Sequence, residues 1–261
     1  MTLPSISIVV LSHNYERYLG TALASAMGQE PGAYRLAEVI VVDDGSTDGS
    51  DAVIAGFPGV RLIRTPHEGF GATLTRAVGE AAGDWVAPLD ADDAFAPDKL
   101  RVLAPHLRDP GLLFVQHGEH VIDADGNPFA EGRHPGGSTS TLMIRTRAAR
   151  DLLPVTNELF FHVLADLGHG IRLDEPLTSY RVHDASMTDR RTPGVFADYM
   201  AGICGDVACR LEQLRAAPPR WAAAGQLAEL SKGYLARAAD RHDEAGRQRK
   251  RTYPLQKGTA A

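Results

Sequence analysis

The stretch DWVAPLDADDAFAPDKL, Asp84 to Leu100, decides how the rest of the chain is read. An apolar run, Trp85 to Leu89, leads straight into three carboxylates within four positions, Asp90, Asp92 and Asp93. Acidic groups this close repel one another and are costly where a buried strand ends, so a balancing positive charge is expected. Oxygen ligands in a loop suit a divalent cation, and Mg²⁺ typically takes one or two protein carboxylates and completes its shell with water and substrate phosphates. A cation here therefore implies a phosphorylated ligand. The plainer alternative is a solvated strand end, with Asp92 or Asp93 capping the helix expected after Pro97.

Upstream, ISIVVL (Ile6–Leu11) reads as a buried strand, EVIVVD (Glu38–Asp43) and VRLIRT (Val60–Thr65) as the second and third strands, and DWVAPL as a fourth that ends at Asp90. ERYLGTALASAMGQ and GFGATLTRAVGEAAG, the latter closed by Gly83, have helical spacing. DGSTDGS reads as a turn that also supplies N-cap side chains for a short helix. This alternation predicts an α/β protein with a mainly parallel central sheet flanked by helices and right-handed crossovers. Ligands in such sheets sit beyond the carboxyl ends of the strands. SHN (12–14), DDGS (43–46) and DADD (90–93) all fall there. A dinucleotide fold would need G-x-G-x-x-G after the first strand, and LSHNYERYLG has none. A haloacid-dehalogenase-type phosphatase would carry its Asp-x-Asp on the first strand and Thr or Val where Ala94 stands.

Downstream, a helix to about Arg108 precedes LLFVQHGEHVIDADGNPF, read as a strand entering a hairpin turned at Asp125-Gly126. EGRHPGGSTST is a glycine-rich loop able to close over a second substrate. RTRAARDLL and NELFFHVLADLG read as helices, and HGIRLDEPLTSYRVHD as extended. From Pro193 the composition shifts to two Ala-rich helices split at Pro218-Pro219, and RQRKRTYPLQKGTAA is expected to fray. The expected organisation is a domain over 1–190, with a nucleotide-binding half (1–100) and an acceptor half (101–190), followed by a helical extension over 191–261.

A hydrophobic fraction of 44% and a charged fraction of 23% suit a globular protein with a sizeable core. A net charge of −6 argues against nucleic acid as the main partner. Cys204 and Cys209 are too few for a disulfide framework and, on a helix, fall on different faces. The N-terminus lacks a basic leader pattern and no run reaches membrane-spanning length, so a cytoplasmic protein is expected. RQRKR (247–251) would favour an anionic membrane surface, with a solvated basic tail as the alternative.

Taken together, ISIVVLSHNYERYLGTAL, EVIVVDDGSTDGS, GDWVAPLDADDAFAPDKL and LDEPLTSYRVH resemble a family 2 glycosyltransferase of the GT-A fold, over about residues 5 to 190. The resemblance implies inverting transfer of a sugar from a nucleoside diphosphate donor to an acceptor hydroxyl, with Mn²⁺ or Mg²⁺. It implies that Leu11, Ser12, His13 and Asp44 hold the nucleoside, the Asp44 carboxylate accepting the imide N–H of uracil or thymine. It implies that Asp92 and His183 reach the metal, and Asp90 the ribose or the metal's water shell. A carboxylate mixed with imidazole tilts preference toward Mn²⁺. Counting ten residues back from Gly168, the general base of the family falls on Glu158, where Asp is usual; the alternative for Glu158 is a helix N-terminal charge. His67, Thr75 and Ala77 depart from the family's Asn and Gly pattern, and Arg76 beside them is a candidate donor contact. The acceptor is a small molecule, a lipid-linked precursor or a polypeptide. The C-terminal helices could cap the sheet, pair two chains or lie on a membrane. The rival readings are an inactive sugar-nucleotide-binding module and a nucleotidyltransferase.

Overall fold

The computed structural model describes residues 2–128, 137–184 and 193–252 of the chain. In the unit Met1–His183, the first four strands are β1 (Ser5–Ser12), β2 (Arg35–Asp44), β3 (Val60–Thr65) and β4 (Trp85–Asp90). Helices α1 (Glu16–Met27), α2 (Ser50–Ala55) and α3 (Phe70–Glu80) connect them. Then follow β5 (Ala94–Phe95), α4 (Lys99–Leu103), β6 (Phe114–Ile122), β7 (Leu142–Arg145), α5 (Thr146–Leu152), α6 (Leu159–Asp166) and β8 (Gly170–Arg181). One eight-stranded sheet runs in the order β3-β2-β1-β4-β7-β6-β8-β5.

β1 is buried along its whole length, as its unbroken apolar run requires. Its neighbours β2 and β4 are parallel to it, and β3 is parallel to β2. Beyond β4 the sheet turns mixed: β7 is antiparallel to both β4 and β6, β6 and β8 are parallel, and β5 is antiparallel to β8. The sheet is thus parallel from β3 through β2 and β1 to β4 and mixed beyond, where β6 and β8 form a further parallel pair. Pro88 sits in the middle of β4 without breaking it, because β7 covers only Trp85 and Val86. Two residues on, the Asp90 N–H turns instead to Ser140 Oγ at 2.9 Å.

α1 buries Leu19, Ala22, Leu23 and Ala26 at helical spacing against Ile6, Ile8 and Val10 of the sheet. Each leucine so buried contributes about 1.5–3 kcal/mol relative to exposure. Gly83 does not close α3, which ends at Glu80 with Ala81 already extended. Its role is close approach: a Cβ there would stand 2.6 Å from the Ser7 N atom. The DGSTDGS turn supplies a side chain to the start of α2, Asp48 Oδ1 accepting the Ser50 N–H at 3.0 Å, with Gly49 at the cap position. The turn at 123–126 forms as read, with Gly126 at φ +91° and Asp123 N–H donating to Asn127 O. Among the described residues its return leg shows a bridge from Ile122 to Pro128, and β6 takes its ladder partners from β7 and β8.

The unit Asp184–Ala261 contains α7 (Pro193–Ala216) and α8 (Ala224–Thr252). Ala197, Ala201, Cys204, Ala208 and Leu211 form the buried stripe of α7, and Leu227, Ser231, Tyr234 and Ala238 that of α8. Alternating steps of three and four residues give a seam of this kind, and Ser231 Oγ donates across it to Ala208 O. Cys204 is buried and Cys209 exposed, on different faces as read. α8 continues through the basic stretch to Thr252. Residues 129–136, with most of the glycine-rich loop, lie outside the described residues, as do 185–192 and 253–261.

Candidate active site

The three carboxylates occupy the tight turn between β4 and β5, where Asp93 N–H bonds Asp90 O and Ala91 N–H bonds Leu11 O. Asp92 Oδ2 faces His183 Nε2 at 3.0 Å across 91 residues of sequence. The rings of Tyr15 and Tyr18 flank His183, with centroids at 6.0 and 4.9 Å. Burial, then the charges of Asp92 and Glu158, push the Asp90 carboxyl well above its ordinary value. Burial also raises Asp92, against the pull of His183 and Arg181. The Tyr15 phenol is pushed up by burial and by all three aspartates, so it stays a hydrogen-bond donor beside Asp92. This concentration of raised carboxyls is the signature of a site with more negative charge than its surroundings offset. A cation fits it: a carboxylate oxygen and an imidazole nitrogen stand together, with a second carboxylate two residues away.

Asp93 does not cap a helix. It is 1% exposed, and one carboxylate oxygen accepts the Arg181 N–H at 2.9 Å. Burial and its two acidic neighbours raise it well above the ordinary carboxylate range. Beneath it lies Lys99, fully buried, its ammonium 2.8 Å from Ser140 O and 3.3 Å above the Phe95 ring. Burial lowers the Lys99 ammonium well below its ordinary value, and Asp93 pulls it back. Arg181 joins the cluster to the rest of the unit: Nε donates to Asp92 O, and Nη1 to the carbonyls of Asp123 and Ala124. Its guanidinium also lies 4.8 Å from the Tyr18 ring centroid. The floor of the acidic turn therefore carries its own cations, while Asp92 and Asp90 are the carboxylates turned to the crevice.

Glu158 stands at the N-cap of α6, partly exposed, and its charge is felt by Asp90. The helix is capped by its neighbour: Asn157 Oδ1 accepts the Leu159 N–H at 3.0 Å. The segment leading to Glu158 is clamped to α3. Thr75 Oγ1 accepts the Val155 N–H at 3.0 Å and donates to Val155 O at 3.2 Å. A Cβ on Gly71 would stand 2.8 Å from Thr156 Cα, so glycine permits that approach. Arg76, on the same helix, is 53% exposed and pairs with Glu80 at 3.7 Å. The structure does not bring it to the carboxylates.

At the other end of the crevice Leu11 and Ser12 are buried in the last turn of β1, and His13 follows them. Asp44, 3% exposed, ends β2. Its Oδ1 accepts from Thr65 Oγ1 at 3.2 Å and Glu68 N at 2.8 Å; its Oδ2 accepts from Gly69 N at 2.8 Å and His67 Nδ1 at 3.0 Å. Burial pushes the Asp44 carboxyl up, but these donors and the His67 ring outweigh it and hold it below the ordinary value. Gly45, at φ +72°, lets the His67 loop close over the turn, since a Cβ there would stand 2.9 Å from His67 N. The His13 and His67 rings stack at 4.0 Å with 20° between planes. Ligand atoms of His13, Asp44 and His67 all lie within 4.8 Å of one another. They form a closed hydrogen-bond network rather than an open cation cage, because the Asp44 oxygens are already occupied.

Residues 7–163 match the family described as Glycosyl transferase family 2. The chain belongs to that family. It is 26% identical over 214 residues to an uncharacterized glycosyltransferase of Nostoc sp., a match covering 69% of this chain and 66% of the relative. It is 34% identical over 126 residues to the succinoglycan biosynthesis protein ExoO of Rhizobium meliloti, covering 47% and 35%. The chain thus spans about one third to two thirds of the length of these relatives. Among solved structures, S. aureus TarS in complex with UDP-GlcNAc superimposes with a TM-score of 0.64 at 19% identity, covering 98% of this chain and 76% of TarS. The mannosyltransferase PcManGT of Pyrobaculum calidifontis, in complex with GDP-Man and Mn²⁺, gives 0.57 at 16%, covering 94% and 76%. These likenesses establish the GT-A glycosyltransferase fold.

Several residues of this family 2 chain escaped the sequence reading. Tyr15, Lys99 and Arg181 stand at the acidic turn, and the part that Asn14 of the SHN cluster, at φ 58°, plays in pinning Ser46 and Thr47 was not foreseen either. A lysine two residues after a proline looks like an exposed helix start. Only the packing of β8 and residues 138–141 around Lys99 shows otherwise.

Proposed function

We propose that the chain catalyses metal-dependent, inverting transfer of a sugar from a nucleoside diphosphate donor, UDP- or dTDP-linked, to an acceptor hydroxyl. The observation that carries this reading is the meeting of Asp92 and His183 at 3.0 Å, with Asp90 beside them and Glu158 within electrostatic reach. Asp92 and His183 would hold Mn²⁺ or Mg²⁺, which when bound supplies charge stabilisation to the departing diphosphate. Asp90 orients the ribose or the hydration shell, and Leu11, Ser12 and His13 line the nucleoside end. Glu158 takes the acceptor proton as the acceptor oxygen bonds to the anomeric carbon; the bond from that carbon to the diphosphate breaks on the opposite face. The acceptor would lie against the 101–183 half. The remaining partner is a second copy of the chain through α7 and α8, and a scattering mass of one chain would end that proposal. No helix among the described residues is long and apolar enough to cross a membrane, and a cytoplasmic setting is the corresponding proposal.

The uridine complex of TarS supports the donor class, while PcManGT holds a guanosine donor on the same fold. The test is hydrolysis and calorimetry with a panel of sugar nucleotides, with Mn²⁺ and with EDTA. Release of UDP or dTDP, with affinity at least about tenfold weaker in EDTA, is the expected result. Equal affinity without metal would remove Asp92 from its role. Tight binding without turnover would favour an inactive binding module, and release of pyrophosphate from a nucleoside triphosphate would favour a nucleotidyltransferase.

A further inference from the structure

We propose that Ser140 is a positioning residue for the metal, its hydroxyl setting the reach of Asp90 and Asp92 by holding both ends of the turn that carries them. This rests on the assignment of Asp92 to the metal, and Ser140 acts through the turn rather than on the ion. The strand creates the need for such a residue. The Ala91 N–H bonds Leu11 O of β1, so the Asp90 N–H faces the other way. On that side the β7 ladder has already stopped at Val86, and a buried amide there needs an acceptor from elsewhere.

Ser140 supplies it. The residue is fully buried, and its Oγ accepts the Asp90 N–H at 2.9 Å. The same hydroxyl acts as a donor on the Asp93 carboxyl, countering the rise that burial, Asp92 and Asp90 impose there. One oxygen thus ties the first and last residues of the acidic turn, and Asp92 projects from between them. The turn's own bond, from Asp93 N–H to Asp90 O, closes the same span from inside.

Ser140 is itself held from behind. Its carbonyl accepts Lys99 Nζ of α4 at 2.8 Å and Thr178 Oγ1 of β8 at 2.9 Å. Thr141 Oγ1 donates to Ser138 O at 2.7 Å, and Ser138 Oγ donates to Glu119 Oε2 of β6 at 2.7 Å. The run STST, which as sequence reads as loop, therefore turns its hydroxyls at 138, 140 and 141 inward, where low dielectric makes each bond costly to break. A carbonyl pinned by two elements leaves the Ser140 side chain little freedom to follow the turn if it moves. Groups that hold a metal ligand in this way govern affinity without touching the ion.

A buried serine that served the fold alone would give a different pattern from one that positions the turn. The test titrates Mn²⁺ in the presence of UDP, with free Mn²⁺ read by electron paramagnetic resonance, on the full chain and on three variants. Ser140→Ala removes the tie and is expected to weaken Mn²⁺ binding roughly tenfold. Ser140→Cys, close in size but a weak donor and acceptor, is expected to fall between that variant and the parent. Thr178→Val takes a buried hydroxyl from the same carbonyl but leaves the tie to Asp90 in place. It is expected to lower the melting temperature and keep the parental Mn²⁺ affinity. Parental affinity in Ser140→Ala, or in Ser140→Cys should the alanine variant not fold, would overturn the positioning role and leave Asp92 as the ligand. An equal loss in Thr178→Val would overturn it too, by showing a general loosening of the cluster. If the parent binds no Mn²⁺ with UDP, the metal reading fails and the role of Ser140 goes with it.

Discussion

Asp92 and Glu158 hold similar charges for different work. Asp92, 3.0 Å from His183, is proposed to serve donor and metal binding and leaving-group stabilisation. Asp92→Asn is expected to lose donor affinity and turnover together. Glu158, at the head of α6, is proposed to serve proton removal alone. Glu158→Gln should bind donor and metal nearly as the parent does, while single-turnover transfer falls by roughly 10² to 10⁴. Transfer at the parental rate would send the search for the base to Asp166 or Asp174. What the sequence could disclose at this scale depended on locality. The acidic turn was visible because its members are adjacent, and His183 because of the pattern around it. The burial of Asp93 was not, because its partner Arg181 is 88 residues away and reaches it only once β8 has paired. Arg76 looked like a donor contact because it neighbours the right positions; the helix turns it toward Glu80.

The elements up to Asp90 were legible because β1, β4 and the second half of β2 are buried and mostly apolar, and short helical patterns separate them. β6 and β8 were read as extended, but β7 and the mixed pairing of the three were not, since that pairing is decided by long-range register rather than by local pattern. Two loops make separate predictions. The loop after β3 is organised by the Asp44 carboxylate, whose pKa is lowered on folding. Its contribution to stability is complete above the ordinary aspartate value of 3.8 and is lost as pH falls through the lower folded value. Asp44→Asn should therefore cost about 1–3 kcal/mol at pH 7. Urea midpoints of the two proteins should converge below about pH 4. The clamp between α3 and the 153–158 segment predicts a different result. Thr75→Val keeps the shape and removes both hydrogen bonds to Val155. It should slow transfer more than it weakens donor binding, because the loop it releases carries Glu158. Parallel losses in both would show that the clamp serves the fold alone.

At the scale of the molecule, the proposed function brings the donor diphosphate against Asp90 and Asp92, whose negative charge His183 and Arg181 offset only in part. Metal and nucleotide should therefore bind with positive coupling. Melting curves are expected to rise little with Mn²⁺ alone or UDP alone and more than additively with both. At one hundred times the dissociation constant, saturation corresponds to about 2.7 kcal/mol. Simple additivity would mean that the cation sits away from the phosphates. The fold at this scale was announced by the rhythm of strands and helices up to Asp90; the change in composition was read from Pro193, whereas the two compact units divide after His183.

The contact of Gly71 and Thr75 with Val155 and Thr156 also bears on how relatives with other acceptors could be recombined with this chain. A designer exchanging the Glu158 segment would treat 153–158 as an independent cassette, since it belongs to the acceptor half of the sequence. The backbone it presents is shaped to a bare glycine and a hydroxyl on a helix some eighty positions earlier. Chimaeras that import the segment without residues 71 and 75 should arrive with the base misaimed. The smallest unit of exchange in this scaffold is thus discontinuous, and inheritance of acceptor choice would be expected to travel with both pieces.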